Sequence, residues 1–435
     1  MTIPKIRFLM FYLFVTVGIF NNVSPARSLS ADPVYTAVID AGSSGTRLYF
    51  YKVVPGPYPQ ITMEIDKVEN KVQPNNYAED GINNFVCSKA PGYSPPNEVV
   101  PQVIAPLLDT LAAKASTLSV PTNQVAVNVL ATAGMRVALD QCGQAAVTQL
   151  YTYIKQGIVA KGFMVGEVRT TDGNSEEGVW TWTNLNDQYY HVFTTSTAPV
   201  GDVEVGGSST QISYPTALSP NSSQNIYTVK LNGKIFSVFN RTYLGLGQDD
   251  ARKFVRKLAQ PPLGHPQFVH PQDCWATGFP AANDAGEDDP AYPKLKVNGS
   301  YNFTVCGSYD SGYIANIIAR YGDPHVANSS GPFVGIDGAW WATKYWNIQD
   351  TPSQLQDSLG ACLNYQNFPN ILTNKSTQFQ CANATYIDTL LYGSVNGLFK
   401  RDPTKFSKAL PNDDAVTKAS VLTWTRGYVL LKYSN

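Results

Sequence analysis

One sentence is written twice in this chain. The stretch "VIDAGSSGTRLYFY" runs from Val38 to Tyr51, and "DVEVGGSSTQISY" begins at Asp202. Superposed without a gap, Asp40 meets Glu204, Gly42 meets Gly206, Ser44 meets Ser208, Thr46 meets Thr210 and Leu48 meets Ile212. Each copy reads as a strand ending near an acid, a Gly-rich turn, and a second strand of alternating apolar and polar residues. Glycine lets the backbone come close to an anion, and Ser/Thr hydroxyls add donors to the main-chain amides. The turn is not a Walker loop, because no GK[ST] follows and the chain continues as a strand rather than a helix. Two such hairpins, one in each half, predict a duplicated α/β architecture with a ligand cleft between the halves. Each hairpin would supply one jaw of a clamp on a polyphosphate. The acid before each turn is placed to hold a divalent cation, directly or through its waters.

Between and beyond the hairpins the pattern is that of an α/β chain. Val99 to Leu118 predicts a helix, with Ile104, Leu107, Leu108, Leu111 and Ala115 at three- and four-residue spacing. "QVAVNVLATAGMR" reads as an apolar strand running into a loop, and Gln144 to Val159 as a helix. From about Gly166 the pattern restarts with a strand, an acidic loop and a helix before the second hairpin. Pro261 to Pro293 is rich in Pro, Gly, Asp and Asn and reads as a surface insertion, its acidic run "NDAGEDDPAY" a solvated loop.

The 435 residues suffice for two domains with real cores. Lys plus Arg is 32 against 33 Asp plus Glu, so there is no basic excess to supply the counterion release behind nucleic-acid binding. Lys5 and Arg7, the apolar run Phe8 to Phe20, and small residues at Ser24 and Ala26 or Ser28 and Ser30 predict a signal peptide over residues 1–30. That run is short of the roughly 20 residues that span a bilayer, an uncleaved anchor being the alternative. The expectation is a secreted protein with no stable membrane anchor. Cys87, Cys142, Cys274, Cys306, Cys362 and Cys381 include no CxxC pair, and in an exported chain they read as disulfides. Many pairings are possible; pairing in chain order is the expectation. Sequons at Asn221, Asn240, Asn298, Asn302, Asn328, Asn374 and Asn383 matter only in a eukaryotic source.

A third piece, "TTDGNSEEGVWTW" from Thr171 to Trp182, puts two adjacent glutamates in a loop between the jaws. Anhydride hydrolysis needs a base beside the attacking water and a cation or donors at the leaving oxygen. Cationic groups near the motifs are few, Arg47 and Arg136. The four histidines are not spaced as a metal pair, and no GxSxG elbow suggests a serine hydrolase.

"VIDAGSSGTRLY", "ATAGMR", "EEGVWTWTNLN" and "VEVGGSSTQIS" stand in the order and rough spacing of the apyrase conserved regions. The chain resembles the secreted and ecto-nucleoside triphosphate diphosphohydrolases, or apyrases, from about Val38 to Leu431, and "WTRGYVLL" is similar to that family's final helix. The resemblance implies two related actin-like (ribonuclease H-like) domains with mixed sheets flanked by helices and the active site in the interdomain cleft. Residues 31–165 with 411–435 would form one domain and 166–410 the other. It implies hydrolysis of nucleoside tri- and diphosphates with Ca²⁺ or Mg²⁺. Gly42, Ser43, Ser44, Gly45 and Thr46 would hold phosphate from one side, and Gly207, Ser208 and Ser209 from the other. Glu177 falls on the catalytic base, Thr132 on the residue linked to positioning the water, with Arg136 in support. Asp40 and Glu204 fall on the metal-associated acids.

Two departures stand out: Glu204 replaces the family's usual Asp, and "GNSEEG" replaces Ser-Gly-x-Glu-Glu-Gly. Both bear on rate and metal preference. Candidate platforms for the nucleobase are Trp341, Tyr345, Trp346 and Tyr392, and base use is expected to be broad because every base has a π-face. The competing readings are an exopolyphosphatase-like or kinase-type reaction on the same fold, and a nucleotide-binding surface module with little turnover.

Overall fold

Two sheets carry the duplication. A computed structural model describes residues 32–43, 45–70, 81–88, 93–220, 224–258, 271–279, 298–346, 352–368, 371, 375–394, 396–400, 406–409 and 422–434. The leader and most of the 261–293 insertion lie outside these residues.

The first sheet contains β1 (Val34–Gly42), β2 (Gly45–Val54), β3 (Gln60–Asn70), β4 (Val125–Ala131) and β5 (Met164–Thr170), in the order β3-β2-β1-β4-β5. The second contains β6 (Gly201–Val205), β7 (Ser209–Pro215), β8 (Ile226–Leu231), β9 (Lys234–Leu244) and the strands Phe333–Asp337 and Phe406–Ala409. From β8 the order is β8, β9, β7, β6, Phe333–Asp337, Phe406–Ala409. Each sheet has an antiparallel meander, β1-β2-β3 or β6-β7-β9, followed by two parallel strands. Thus β1 corresponds to β6, β2 to β7, β4 to Phe333–Asp337, and β5 to Phe406–Ala409. The division expected at Gly166 falls inside β5, which belongs to the first sheet.

The alternation of side chains in β1 and β2 decides what each face meets. Ala37, Ile39, Ala41, Leu48 and Phe50 join a core with Leu107, Leu108 and Leu111 of α1 (Ala105–Thr117) and Leu150 and Ile154 of α2 (Ala133–Ala160). Val38, Tyr49 and Tyr51 face the other way, into a cluster with Trp180 and the C-terminal residues Trp424, Tyr428 and Val429. Burial on both faces explains why β1 reads as a nearly continuous apolar run before Asp40.

The segment expected to be a strand running into a loop behaves differently. After β4 ends at Ala131, Thr132 is the only residue before α2 begins at Ala133, so "AGMR" is a first helical turn. Gly143, at φ 78°, interrupts that helix just ahead of Gln144, where the sequence places a helix start.

Helix α3 (Gly178–Gln188) and the final helix Trp424–Tyr433 pack together on the first sheet. Trp180 stacks on Trp424 at 5.7 Å and meets the edge of Tyr428 at 5.1 Å. Arg426 Nη1 donates to Asp187 Oδ2 at 2.8 Å, and Tyr51 Oη lies 2.7 Å from Thr425 Oγ1. The second core gathers Val203, Val205, Ile212 and Tyr243 with α4 (Gln248–Leu258), α5 (Phe303–Tyr321) and the helix Gln380–Tyr392. Disulfides join Cys87 to Cys142, Cys274 to Cys306 and Cys362 to Cys381, the chain-order pairing. Of the sequons, Asn240 is fully buried, with Nδ2 donating to the Gly173 and Asn174 carbonyls, which removes it as a glycan acceptor. Among the described residues no helix is long and apolar enough to cross a membrane.

Candidate active site

The two Gly-rich turns abut. A Cβ added at Gly207 would lie 3.0 Å from Ser43 Oγ and 2.5 Å from Asp249 Oδ2, so a larger residue there would push both side chains aside. The second turn is fixed from behind: Gly206 N donates to Ser209 O, and the first residues of α4, Gln248 and Asp249, donate their backbone N–H groups to the carbonyls of Gly206 and Gly207. Between the turns lies a cavity of about 110 Å³, lined among others by Asp40, Gly42, Ser43, Thr132, Glu177, Glu204, Gly207, Ser208 and Ser209. Ligand pockets usually measure about 300–1,000 Å³, so this space fits a phosphoryl group and water rather than a whole nucleotide.

Strand register explains who reaches it. Asp40 pairs with Arg47 across β1 and β2, and Glu204 pairs with Gln211 across β6 and β7. All four line the cavity, in two equivalent positions of the repeat. Arg47 Nη1 is 3.6 Å from Asp40 Oδ2, whereas Asp40 Oδ1 is buried without a hydrogen-bond partner among the described residues. Gln211 Nε2 donates to Ser209 Oγ at 2.9 Å. Thr46 sits one residue out of phase: it is fully buried, pairs with Ala41, and is not on the cavity lining. Gly45 also lies off the lining, and Ser44 lies outside the described residues.

Glu177 ends a turn of π-helix, Gly173–Glu177, whose N-cap Asp172 accepts from Asn174 N. Several contacts hold the loop. Arg169 grips Glu176 with two bonds of 2.7 Å, and Asp172 N donates to Glu176 Oε2 at 2.8 Å. Arg136, on the first turn of α2, donates through Nη2 to Glu177 Oε2 at 2.7 Å and to Ser209 Oγ at 3.4 Å. Thr132 N donates to Ala41 O at 3.1 Å, which seats the start of α2 against the first turn.

Thr181 Oγ1 lies 3.0 Å from Glu177 O and 2.7 Å from Glu204 Oε2. One hydroxyl proton serves one acceptor at a time, so both contacts are satisfied when Glu204 carries a proton. Burial, then the charges of Glu177 and Asp337, push Glu204 well above the usual carboxylate range. Burial lifts Asp40 to about 7, opposed by Arg47 and reinforced by Glu177 and Asp337.

Hard oxygen donors crowded until their ionised forms repel are a setting for Ca²⁺ or Mg²⁺. The bare Oδ1 of Asp40 fits that role. Among the described residues no three His, Cys, Asp or Glu side chains gather to ligate one ion directly.

Of the four aromatic candidates for the nucleobase, Trp341 alone lines the cavity; it is 39% exposed, with Lys344 Nζ 4.8 Å above its ring. Tyr345 stacks on Phe368 at 6.4 Å, and Trp346 meets the same ring edge-on at 5.6 Å. Tyr392 is buried in the second core, edge-on to Phe406. Helical aromatic spacing did not separate platform from core. Sequence reasoning also passed over Tyr49, Gly206, Gln211, Asp337, Leu422, Thr423 and Trp424, all on the lining. Gln211 and Tyr49 were open to a period-two count along their strands; Asp337 was not.

Comparison with known proteins agrees with this geometry. The chain is 26% identical over 241 residues to "Ectonucleoside triphosphate diphosphohydrolase 5" of Mus musculus, covering 54% of the chain and 52% of that relative. It is 27% identical over 342 residues to "Ectonucleoside triphosphate diphosphohydrolase 1" of Rattus norvegicus, covering 74% and 62%. The chain thus spans about half to two thirds of the length of these relatives. In fold it is similar to a solved nucleoside triphosphate hydrolase from Neospora caninum, with TM-score 0.57, 14% identity and 93% of each chain covered. The profile of the GDA1/CD39 (nucleoside phosphatase) family matches residues 27–315, and the chain belongs to that family.

Proposed function

We propose that this protein hydrolyses the terminal phosphoanhydride of nucleoside tri- and diphosphates, by direct attack of water and without a phosphoenzyme. The observation that carries the reading is the placement of Glu177 and the two abutting turns on one small cavity. Ser43, with the backbone of Gly42, would bind phosphate oxygens from the first jaw, and Gly207, Ser208 and Ser209 from the second. Glu177, held by Arg136, takes the proton of the attacking water. Thr132 orients that water from the head of α2.

Asp40 and Glu204 would hold Ca²⁺ or Mg²⁺, which when bound neutralises charge on the phosphates and the leaving oxygen. Gln211 holds Ser209 in place, and Trp341 offers a face to the base at the mouth. Residues 31–165 with 411–435 act as one half of the clamp and residues 166–410 as the other, with β5 joining the first. The three disulfides support an exported protein, in keeping with the leader expected from the sequence.

Phosphate release from ATP, ADP, AMP and inorganic polyphosphate, with and without EDTA, tests the reading. It predicts release from ATP and ADP, none from AMP, and abolition by EDTA. Release from polyphosphate alone would support the exopolyphosphatase-like alternative instead. Binding of ATP without release would support the surface-module alternative.

A further inference from the structure

The sheet that carries Glu204 brings a third acid to the cavity. Asp337 is the last residue of its strand, pairs with Val205 in parallel register, and lines the same cavity as Asp40 and Glu204. Its neighbour Ile336 pairs with Glu204 itself, so the two carboxylates come from adjacent strands at successive register positions.

The repeat shows what kind of place this is. Ala41 pairs with Ala131 in the first sheet, as Val205 pairs with Asp337 in the second. Asp337 therefore occupies, in the second half, the strand-to-helix junction that in the first half leads into Thr132 and α2. Both junctions open onto the cavity, and each is followed at once by a helix, α2 or α6 (Gly338–Tyr345). The backbone at Asp337 has φ 55° and ψ −114°, which an L side chain adopts at a cost of about 1–3 kcal/mol. Glycine would stand there without that cost, yet this chain places a carboxylate. On the same cavity, Asp40 is 6% exposed and has one oxygen with no hydrogen-bond partner among the described residues.

From this placement we infer that Asp337 is a further cation-holding residue, acting beside Asp40 and Glu204 on a hydrated divalent cation through its water shell and not as a third direct ligand. The inference rests on the hydrolase reading above. It assigns to the second half a charge that the repeated hairpins alone do not supply. Clustered negative charge favours Ca²⁺, which is bound by oxygen ligands, waters among them, in flexible geometry, with affinity tuned by charge.

Terbium(III) is the probe, because Trp341 and Trp424 line the cavity and can sensitise its luminescence. The protein, Asp337→Asn and Asp337→Gly are titrated with Tb³⁺ at about 0.5 M ionic strength, where exposed charges beyond a few ångströms are screened. Competition with Ca²⁺ and thermal melting of the metal-free proteins complete the set. Both substitutions suit a positive φ, so the folds are retained. The expected result is a dissociation constant raised at least fivefold for Tb³⁺ and for competing Ca²⁺ in both variants. A smaller change in properly folded variants overturns the role of Asp337 and leaves the hydrolase reading standing. Absence of sensitised luminescence and of Ca²⁺ binding in the unsubstituted protein overturns the cation seat altogether.

Discussion

Arg136 and Glu177 form an ion pair of 2.7 Å that ties the first turn of α2 to the loop before α3, with both side chains largely buried. The same Arg136 nitrogen reaches Ser209 in the second jaw. One guanidinium thus fixes the proposed base relative to a phosphate-binding turn. Replacing Glu177 by Gln keeps the shape and removes the proton acceptor. Turnover of ATP should fall by about 10²–10⁴-fold, while nucleotide binding measured by calorimetry persists. Turnover within tenfold of the unsubstituted protein would remove Glu177 from the base role.

Asp202 lies two residues before Glu204, fully buried, and neither of its oxygens has a hydrogen-bond partner among the described residues. Burial lifts its carboxyl well above the range of a free Asp. The folded state therefore keeps a proton that the unfolded chain releases near pH 4. As pH rises through the window above that value, the native state binds more protons than the unfolded state, so stability falls. Asp202→Asn removes this loss. The variant should melt at least as high as the parent at pH 7–8, and the gap should shrink as pH approaches 4. A gap independent of pH would show that Asp202 finds a partner in solution.

Asp40 titrates at about 7 in the folded protein against 3.8 in the unfolded chain. Its share of stability follows the same sign, falling from about pH 4 to about pH 7 and level above. A cation at Asp40 competes with that proton, so affinity should rise with pH. Between pH 6 and pH 8 the ionised fraction grows about tenfold, and Ca²⁺ affinity should tighten by about the same factor. Calorimetry at three pH values checks it. Asp40→Asn should bind more weakly and lose this dependence; an unchanged slope would assign the proton elsewhere.

How much of this was legible follows from the physics of each feature. The hairpins carry their own signature, because a turn that approaches an anion needs glycine and hydroxyls at fixed offsets, and the strands around it alternate. Their correspondence in two sheets follows from the duplication already visible in Asp40 and Glu204. The resemblance put Thr46 on phosphate, whereas strand parity sets it on the face of Ala41, away from Asp40 and Arg47. Asp337 could not be found, because its place at the cavity comes from pairing with Val205, a strand more than a hundred residues away. Tyr392 shows the converse limit: aromatic spacing on a helix is the same whether the ring meets a ligand or, as here, Phe406.

Trp341 is the remaining aromatic of the four at the cavity, exposed at its mouth beside Lys344. The cavity behind it holds little more than phosphate and water, so a nucleoside must lie outward, across this ring. Stacking on an aromatic side chain contributes about 1–3 kcal/mol per base, whatever the base. Trp341→Ala should therefore raise KM for ATP, GTP and UTP alike, by about 5- to 150-fold, with kcat little changed. Inorganic polyphosphate has no base to stack, and any turnover of it should be unaffected. Tyr345→Ala serves as the comparison, since Tyr345 spends its face on Phe368, and it should leave KM within about twofold. A larger effect at Tyr345 than at Trp341 would move the base to the far side of α6.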